Sequence, residues 1–405
     1  MFLKREKYII TMLAVFLFIN LLNYPVTAKY IDDIISNFEE NSPEYLTVVV
    51  DNELQLLDDY KNANEIENIA NKIETAESKI ISLENQYEQS TDILEMVSIQ
   101  MSIQEQQIYI YDLKHQELNL TLSQNLDNAY LEVSDLIIYQ QQNLLKYDMY
   151  SSANSAILLE KEIDYYSVLE EEKKEYIEIE KSKFKEGYSK QSDITALEAE
   201  LSTIQSEKFN IETQLELLEN KIQLNSQSDY YSDAISIEIF SDDCFDAFLE
   251  NDYKIPYIKL QITAYEIYIE DLKLLLNELS MEGYDFDSAE RMERTIENEI
   301  IYYEKYIEKL DLDLKQYETD LKIYVLTIEK NYCVYEKQLE SKKLEIDSAK
   351  EQLKITESLY AEGYARPVDI LTKKSQIAKL EVEKTEIEKQ MSDYAYILSN
   401  YIINI

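Results

Sequence analysis

The sequence predicts an all-α protein of long antiparallel coiled-coil helical hairpins, arranged as two tandem structural repeats with little or no β structure. Three observations carry that prediction. The 405 residues include only three Gly and four Pro, so few of the residues that end or kink helices are present. Glu, Lys, Leu, Ile, Tyr and Gln dominate, a composition that suits long helices. Apolar residues recur at alternating gaps of three and four over long stretches, the seam of a left-handed coiled coil.

Taken in order, the N-terminus reads as an export signal. Lys4, Arg5 and Lys7 precede an apolar run over 8–22 that is short for a membrane span. Val26-Thr27-Ala28 forms a small-residue cleavage site, so 1–28 is a signal peptide, with an uncleaved anchor as the alternative. Either way the remainder leaves the cytoplasm.

The first helical repeat covers 29–225. From Glu44 to Glu186 there is neither Gly nor Pro. A single helix of that length would extend over roughly 200 Å, so the chain folds back, with the turn expected at 87–92 and Thr91 or Asp92 as the next cap. Ser151-Ser152-Ala153-Asn154-Ser155 is a softer spot where a bend or stutter is expected. A linker covers 226–256, and within it 234–240 alternates like a short strand. The second repeat, 257–405, starts after Pro256, turns at 281–287 around Gly283, and continues as a breaker-free helix from about Ser288 to Ala361. That helix is on the order of 110 Å long. Its seam runs through Ile300, Tyr303, Ile307, Leu310, Leu314, Tyr317, Leu321, Tyr324 and Ile328.

The repeats superpose at an offset of 176 residues without a gap. FKEGYSKQSDI at 184–194 falls on YAEGYARPVDI at 360–370, and Glu207-Lys208 falls on Glu383-Lys384. The following seams agree, from Ile194 to Ile222 and from Ile370 to Leu398, and a Lys interrupts both at the same place, 208 and 384. A polar seam residue fixes register at some cost in stability. Each Gly ends a long helix in a left-handed conformation. Ser192 or Asp193 then caps the returning helix, and Pro367 reinforces it in the second copy. A weaker duplication links 30–45 with 243–257: a short amphipathic helix, a break at Asn and Pro, then a long helix.

A formal charge of −42 removes any basic nucleic-acid footprint. It suits a solvated acidic surface, a cation-attracting lumen or a docking face for a basic partner. The 35 Tyr suit partly wet helix interfaces. No Gly-rich phosphate loop, His-containing triad or Cys/His metal set is present, which speaks against an enzyme, and no cofactor is expected. The lone His115 reads as an ordinary helix residue. Cys244 and Cys333 are the only cysteines, and their spacing leaves both a disulfide and two free thiols open.

This layout resembles the TolC family of outer-membrane efflux proteins. An export signal, a short helix and Asn/Pro break opening each half, a very long helix, a Gly turn and a returning helix carry the resemblance over roughly residues 30–402. The turn itself reads aromatic-x-x-Gly with Asp six residues on: Phe184, Gly187, Asp193, then Tyr360, Gly363, Asp369. The resemblance implies a homotrimer whose helices form a hollow α-barrel. It implies that the tips, with Phe184, Gly187, Tyr188, Asp193, Tyr360, Gly363, Tyr364 and Asp369, dock a membrane-fusion adaptor served by an inner-membrane transporter. It also implies that Asp193, Tyr360, Arg366 and Asp369 hold or line the entrance, Arg366 pairing with an Asp of a neighbouring helix pair. One departure stands out. The family inserts two β-hairpins per protomer, whereas 87–105 and 281–299 are too short and too charged for spanning strands. Tight turns are expected there, so membrane spanning is doubtful. An exported helical scaffold without a channel is the alternative reading.

Overall fold

The computed structural model describes residues 26–226, 245–281 and 287–404. The described residues form helices α1 (Val26–Asn41), α2 (Pro43–Gln89), α3 (Ile93–Glu132), α4 (Ser134–Lys185), α5 (Gln191–Ser226), α6 (Phe245–Glu250), α7 (Lys254–Met281), α8 (Asp287–Ala361) and α9 (Pro367–Ser399). They contain no strand, so the all-α expectation holds. The expected strand at 234–240, the turn around Gly283, Cys244 and residues 1–25 of the export signal lie outside the described residues.

Local chemistry sets the boundaries. At the α1–α2 break, Ser42 is fully buried and its Oγ accepts the Tyr45 N–H at 3.4 Å. At the α6–α7 break, Asp252 Oδ1 accepts the Ile255 N–H at 2.7 Å. In both places the preceding Asn side chain donates to a carbonyl four residues back (Asn41 to Asn37, Asn251 to Ala247), each at 2.8 Å. The weak duplication is therefore the same capping device used twice. Pro256 falls inside the first turn of α7, where its missing N–H is no loss.

The α2–α3 turn takes only Ser90, Thr91 and Asp92. Asp92 Oδ1 accepts the Leu94 N–H at 2.9 Å, and Ser90 Oγ donates to Glu95 Oε2 at 2.8 Å. Of the two expected caps, Asp92 is the one used. Helix α4 runs without a break through 151–155, where a bend or stutter is expected from the sequence. The small side chains serve packing instead: Ala153 and Ala156 are buried with Met149, Tyr150 and Ile222. The interruption falls at Val133 (φ −106°, ψ 2°), where Ser134 Oγ takes the Leu131 carbonyl at 2.8 Å and competes with the helix ladder.

The chain forms two compact units, and each draws on both sequence repeats. Among the described residues, the first comprises 26–46, 142–226 and 325–402. Here α4 pairs with α5 through Gln205 to Glu170 (2.9 Å), Lys221 to Asp148 (2.7 Å) and Lys173 to Glu200. Helix α8 pairs with α9 through Lys350 to Glu381 and Lys342 to Glu383, both 2.9 Å. The hairpins meet along α4 and α9, giving the order α5–α4–α9–α8. Thr372 Oγ1 donates to Glu172 Oε1 at 2.7 Å, and the Tyr150 and Ser392 hydroxyls lie 2.5 Å apart. Those two contacts make α4 and α9 antiparallel, which brings both glycine turns to one end of the unit. The seam that follows the first turn lies inside its hairpin, with Ile194, Ile204, Ile211 and Ile222 buried on α5, whereas the α8 seam over 300–321 is buried in the second unit.

Among the described residues, the second unit comprises 47–141, 245–281, 287–324 and 403–404. Its core gathers Tyr111 and Leu122 of α3, Tyr265, Tyr268 and Leu272 of α7, and Ile296 and Leu310 of α8. The tyrosines place their apolar bodies in this core. Tyr268 donates to Asn119 Oδ1 at 2.7 Å, with Glu299 Oε1 at 3.2 Å. His115 Nε2 lies 2.6 Å from Glu299 Oε2, so the lone histidine belongs to this polar cluster.

Candidate functional site

The two glycine turns form the candidate site. In the first, the Tyr188 N–H bonds Lys183 O at 2.8 Å and the Gly187 N–H bonds Phe184 O at 3.0 Å. In the second, Tyr364 bonds Leu359 at 2.8 Å and Gly363 bonds Tyr360 at 2.9 Å. Both are Schellman motifs, which use the last carbonyls of a helix. Gly187 has φ +83° and Gly363 φ +84°. Nothing lies within 4 Å of a Cβ placed on either glycine, so the torsion alone demands Gly.

The returning helices start alike. Lys190 precedes α5 as Arg366 precedes α9, and the third helical residue is Asp193 or Asp369. Asp193 Oδ2 accepts the Lys190 N–H at 3.2 Å, and Asp369 Oδ2 accepts the Arg366 N–H at 2.8 Å. Each aspartate therefore reaches back to the residue before its helix. Ser192 does not cap the backbone; its hydroxyl donates to Asp193 Oδ1 at 3.2 Å. Within the chain, Arg366 pairs with its own Asp369, Nη2 to Oδ1 at 2.8 Å. The Arg366 side chain, then its backbone N–H, hold the Asp369 carboxyl below the usual carboxylate range.

Two aromatic pairs stand out from this end. Phe184 and Tyr360 are 43% and 45% exposed, Tyr188 and Tyr364 81% and 80%. The matched values show that the duplication preserves a surface as well as a turn. Every sequence-predicted site residue lies on these two turns, since α4 and α9 bring both to the same end of the first unit.

Sequence reasoning missed two features. Lys190, the counterpart of Arg366 at the offset of 176, was legible in the alignment of the repeats. The polar face between hairpins was also legible, as a second stripe on α9 through Thr372, Ser375, Thr385 and Ser392. Along it, Asn154 Nδ2 donates to Ser392 Oγ at 3.3 Å and Lys389 Nζ to Asp393 Oδ2 at 2.7 Å. Among the described residues no group of His, Cys, Asp and Glu could hold a metal ion. Cys333 has no disulfide partner among them.

Solved structures share this architecture. CusC aligns over 93% of this chain and 92% of its own, with TM-score 0.54 and 9% identity. The Neisseria gonorrhoeae MtrE outer membrane channel aligns over 92% and 88%, with TM-score 0.52 and 9% identity. The outer membrane protein VceC of Vibrio cholerae aligns over 70% and 74%, with TM-score 0.51 and 9% identity. No protein-family profile and no curated protein sequence matches the chain. The fold is thus that of the TolC-type outer-membrane channels. At the α2–α3 junction this chain has the tight turn expected from its sequence, three residues long. Among the described residues no helix is long and apolar enough to cross a membrane.

Proposed function

We propose that the chain is a non-enzymatic component of an efflux or secretion conduit in the cell envelope. In this reading it is exported and assembles as a homotrimer, and its helices form or extend an extracytoplasmic duct. The glycine-turn tips dock a membrane-fusion adaptor, which couples the duct to a transporter in the inner or cytoplasmic membrane. One observation carries the reading: two equivalent turns present the exposed aromatics Phe184, Tyr188, Tyr360 and Tyr364 at one end of a unit with the TolC-type fold. Exposed apolar groups gathered in one place favour a binding surface. Asp193, Tyr360, Arg366 and Asp369 belong to the entrance in this reading. The Arg366–Asp369 pair is exposed, and exposed ion pairs are weak, so exchanging it for a pairing with a neighbour costs little.

The test is mass in solution by light scattering, with particle shape by negative-stain microscopy, on residues 29–405. A trimeric hollow tube is the expected result. A monomeric or dimeric rod would remove the duct and favour an exported helical scaffold.

A further inference from the structure

Helix α3 carries two heptad seams near its start. The first runs through Met96, Ile99, Ile103, Gln106 and Ile110 at gaps of three and four, and Ile99, Ile103 and Ile110 are buried on it. The second keeps the same gaps two residues ahead, through Leu94, Val97, Met101, Gln104 and Ile108. Two residues turn about 200° around a helix, so the second seam faces almost directly away from the first. No described element covers it: Leu94 is 80% exposed, and Val97 and Met101 53% each. From Met96 to Gln104 the helix has no charged residue, although a surface helix ordinarily sets charged and polar groups opposite its buried stripe. Apolar residues at seam spacing are the pattern by which one helix anchors on another.

Charge selects the occupant. Between Lys79 and Lys114 the chain has no basic residue and six acidic ones: Glu84, Glu88, Asp92, Glu95, Glu105 and Asp112. All six are exposed. Glu105 directly follows the seam residue Gln104, at a flanking position where charges between helices set partner choice. An anionic lipid surface would meet these carboxylates with like charge, and a neutral bilayer would desolvate Asp92 and Glu95 beside the stripe without pairing them. A second copy of this chain brings a formal charge of −42, which repels its own kind. An apolar stripe rimmed by Lys or Arg complements both the seam and its surroundings. The seam is about 20 Å long, room for two heptads of a partner helix.

We propose that the outward seam of α3 docks a basic amphipathic helix of a separate protein. The apolar residues of that helix, at seam spacing, lie against Leu94, Val97 and Met101. Its Lys or Arg side chains pair with Glu95 and Glu105 beside the seam. This face lies in the second unit and the glycine turns in the first, so a partner here is distinct from the adaptor proposed for the tips.

Fluorescence anisotropy on the full chain tests it, with a labelled Leu/Lys peptide that places its Leu residues on one heptad seam as the probe. Saturable binding is expected. Leu94→Ser with Met101→Ser removes two anchors and should weaken it about tenfold or more. Both positions are exposed, so helix content by circular dichroism should stay unchanged. A peptide of the same composition in scrambled order keeps the charge but loses the seam, and it should bind the native chain no better than the ordered peptide binds the variant. No binding of the ordered peptide, equal binding of the scrambled one, or equal binding by the variant would each overturn the docking face. Glu95→Lys with Glu105→Lys leaves the apolar seam intact and should also weaken binding; unchanged binding would remove the case for a basic partner. Two other results would give the seam a different occupant and overturn a separate protein. One is sedimentation with phosphatidylcholine vesicles that the Ser variant loses, which marks a lipid contact. The other is a lower solution mass in that variant, which marks a contact between copies.

Discussion

At the scale of single residues, two glycines carry the candidate site. Their torsions lie in the region that a Cβ disfavours, and nothing crowds them. Gly363→Ala should therefore destabilise the α8–α9 hairpin by about 1–2 kcal/mol, and Gly363→Asn by less, since Asn tolerates this conformation. Urea unfolding of the variants would show it, and equal effects of Ala and Asn would argue against a torsional cause. These positions were legible because Gly is so scarce here that its recurrence in one frame is a signal. The arginine was not fully legible. Its reach back to Asp369 depends on the exact start of α9, which sequence reading blurs by a residue or two.

At the scale of helices, the heptad seams predicted partners that the structure bears out. The two seam lysines are equivalent. Lys208 lies 3.7 Å from Glu170 and 4.0 Å from Glu212, and Lys384 lies 2.9 Å from Glu388. Lys384→Leu would replace a partly desolvated cation by an apolar seam residue. It should raise stability by about 1 kcal/mol while loosening the α8–α9 register. Thermal unfolding would report the gain and hydrogen exchange along α9 the looser register, and a loss of stability would show that the ion pair outweighs the packing. Helix breaks were less legible than helix faces. The run Ser151–Ser155 resembles a weak point, but its small side chains let Met149 and Tyr150 pack with Ile222. Val133 carries no Gly or Pro to announce an interruption that one hydroxyl, Ser134, helps to produce.

At the scale of the molecule, the abundance of tyrosine becomes a pH response. In the second unit, burial first and then the neighbouring Tyr306 and Tyr303 push the Tyr265 hydroxyl from its ordinary 10.0 up to about 12. Burial, followed by Glu299, raises Tyr268 as well. A raised phenol favours the protonated folded state. That stability is fully present below pH 10.0 and is lost as pH climbs towards about 12. Phenolate absorbance followed beside circular dichroism should show these rings ionising together with loss of helix in the second unit. Ionisation near 10.0 without unfolding would contradict their burial. The two repeats were plain in the sequence, but the two compact units were not. A repeat is read along the chain, whereas each unit gathers segments from both repeats.

The meeting of α4 with α9 has a kinetic consequence. The hairpins α4–α5 and α8–α9 each close across a few residues, so they can form quickly from local contacts. Tyr150 and Ser392 are 242 positions apart, and Asn143 donates to Asn400 across 257. During synthesis the first hairpin must wait for α9, more than 200 residues later, before its polar flank is covered. The slow step in making this protein is then the late docking of two ready-made hairpins, with the buried amide of Asn154 among the last groups to leave water.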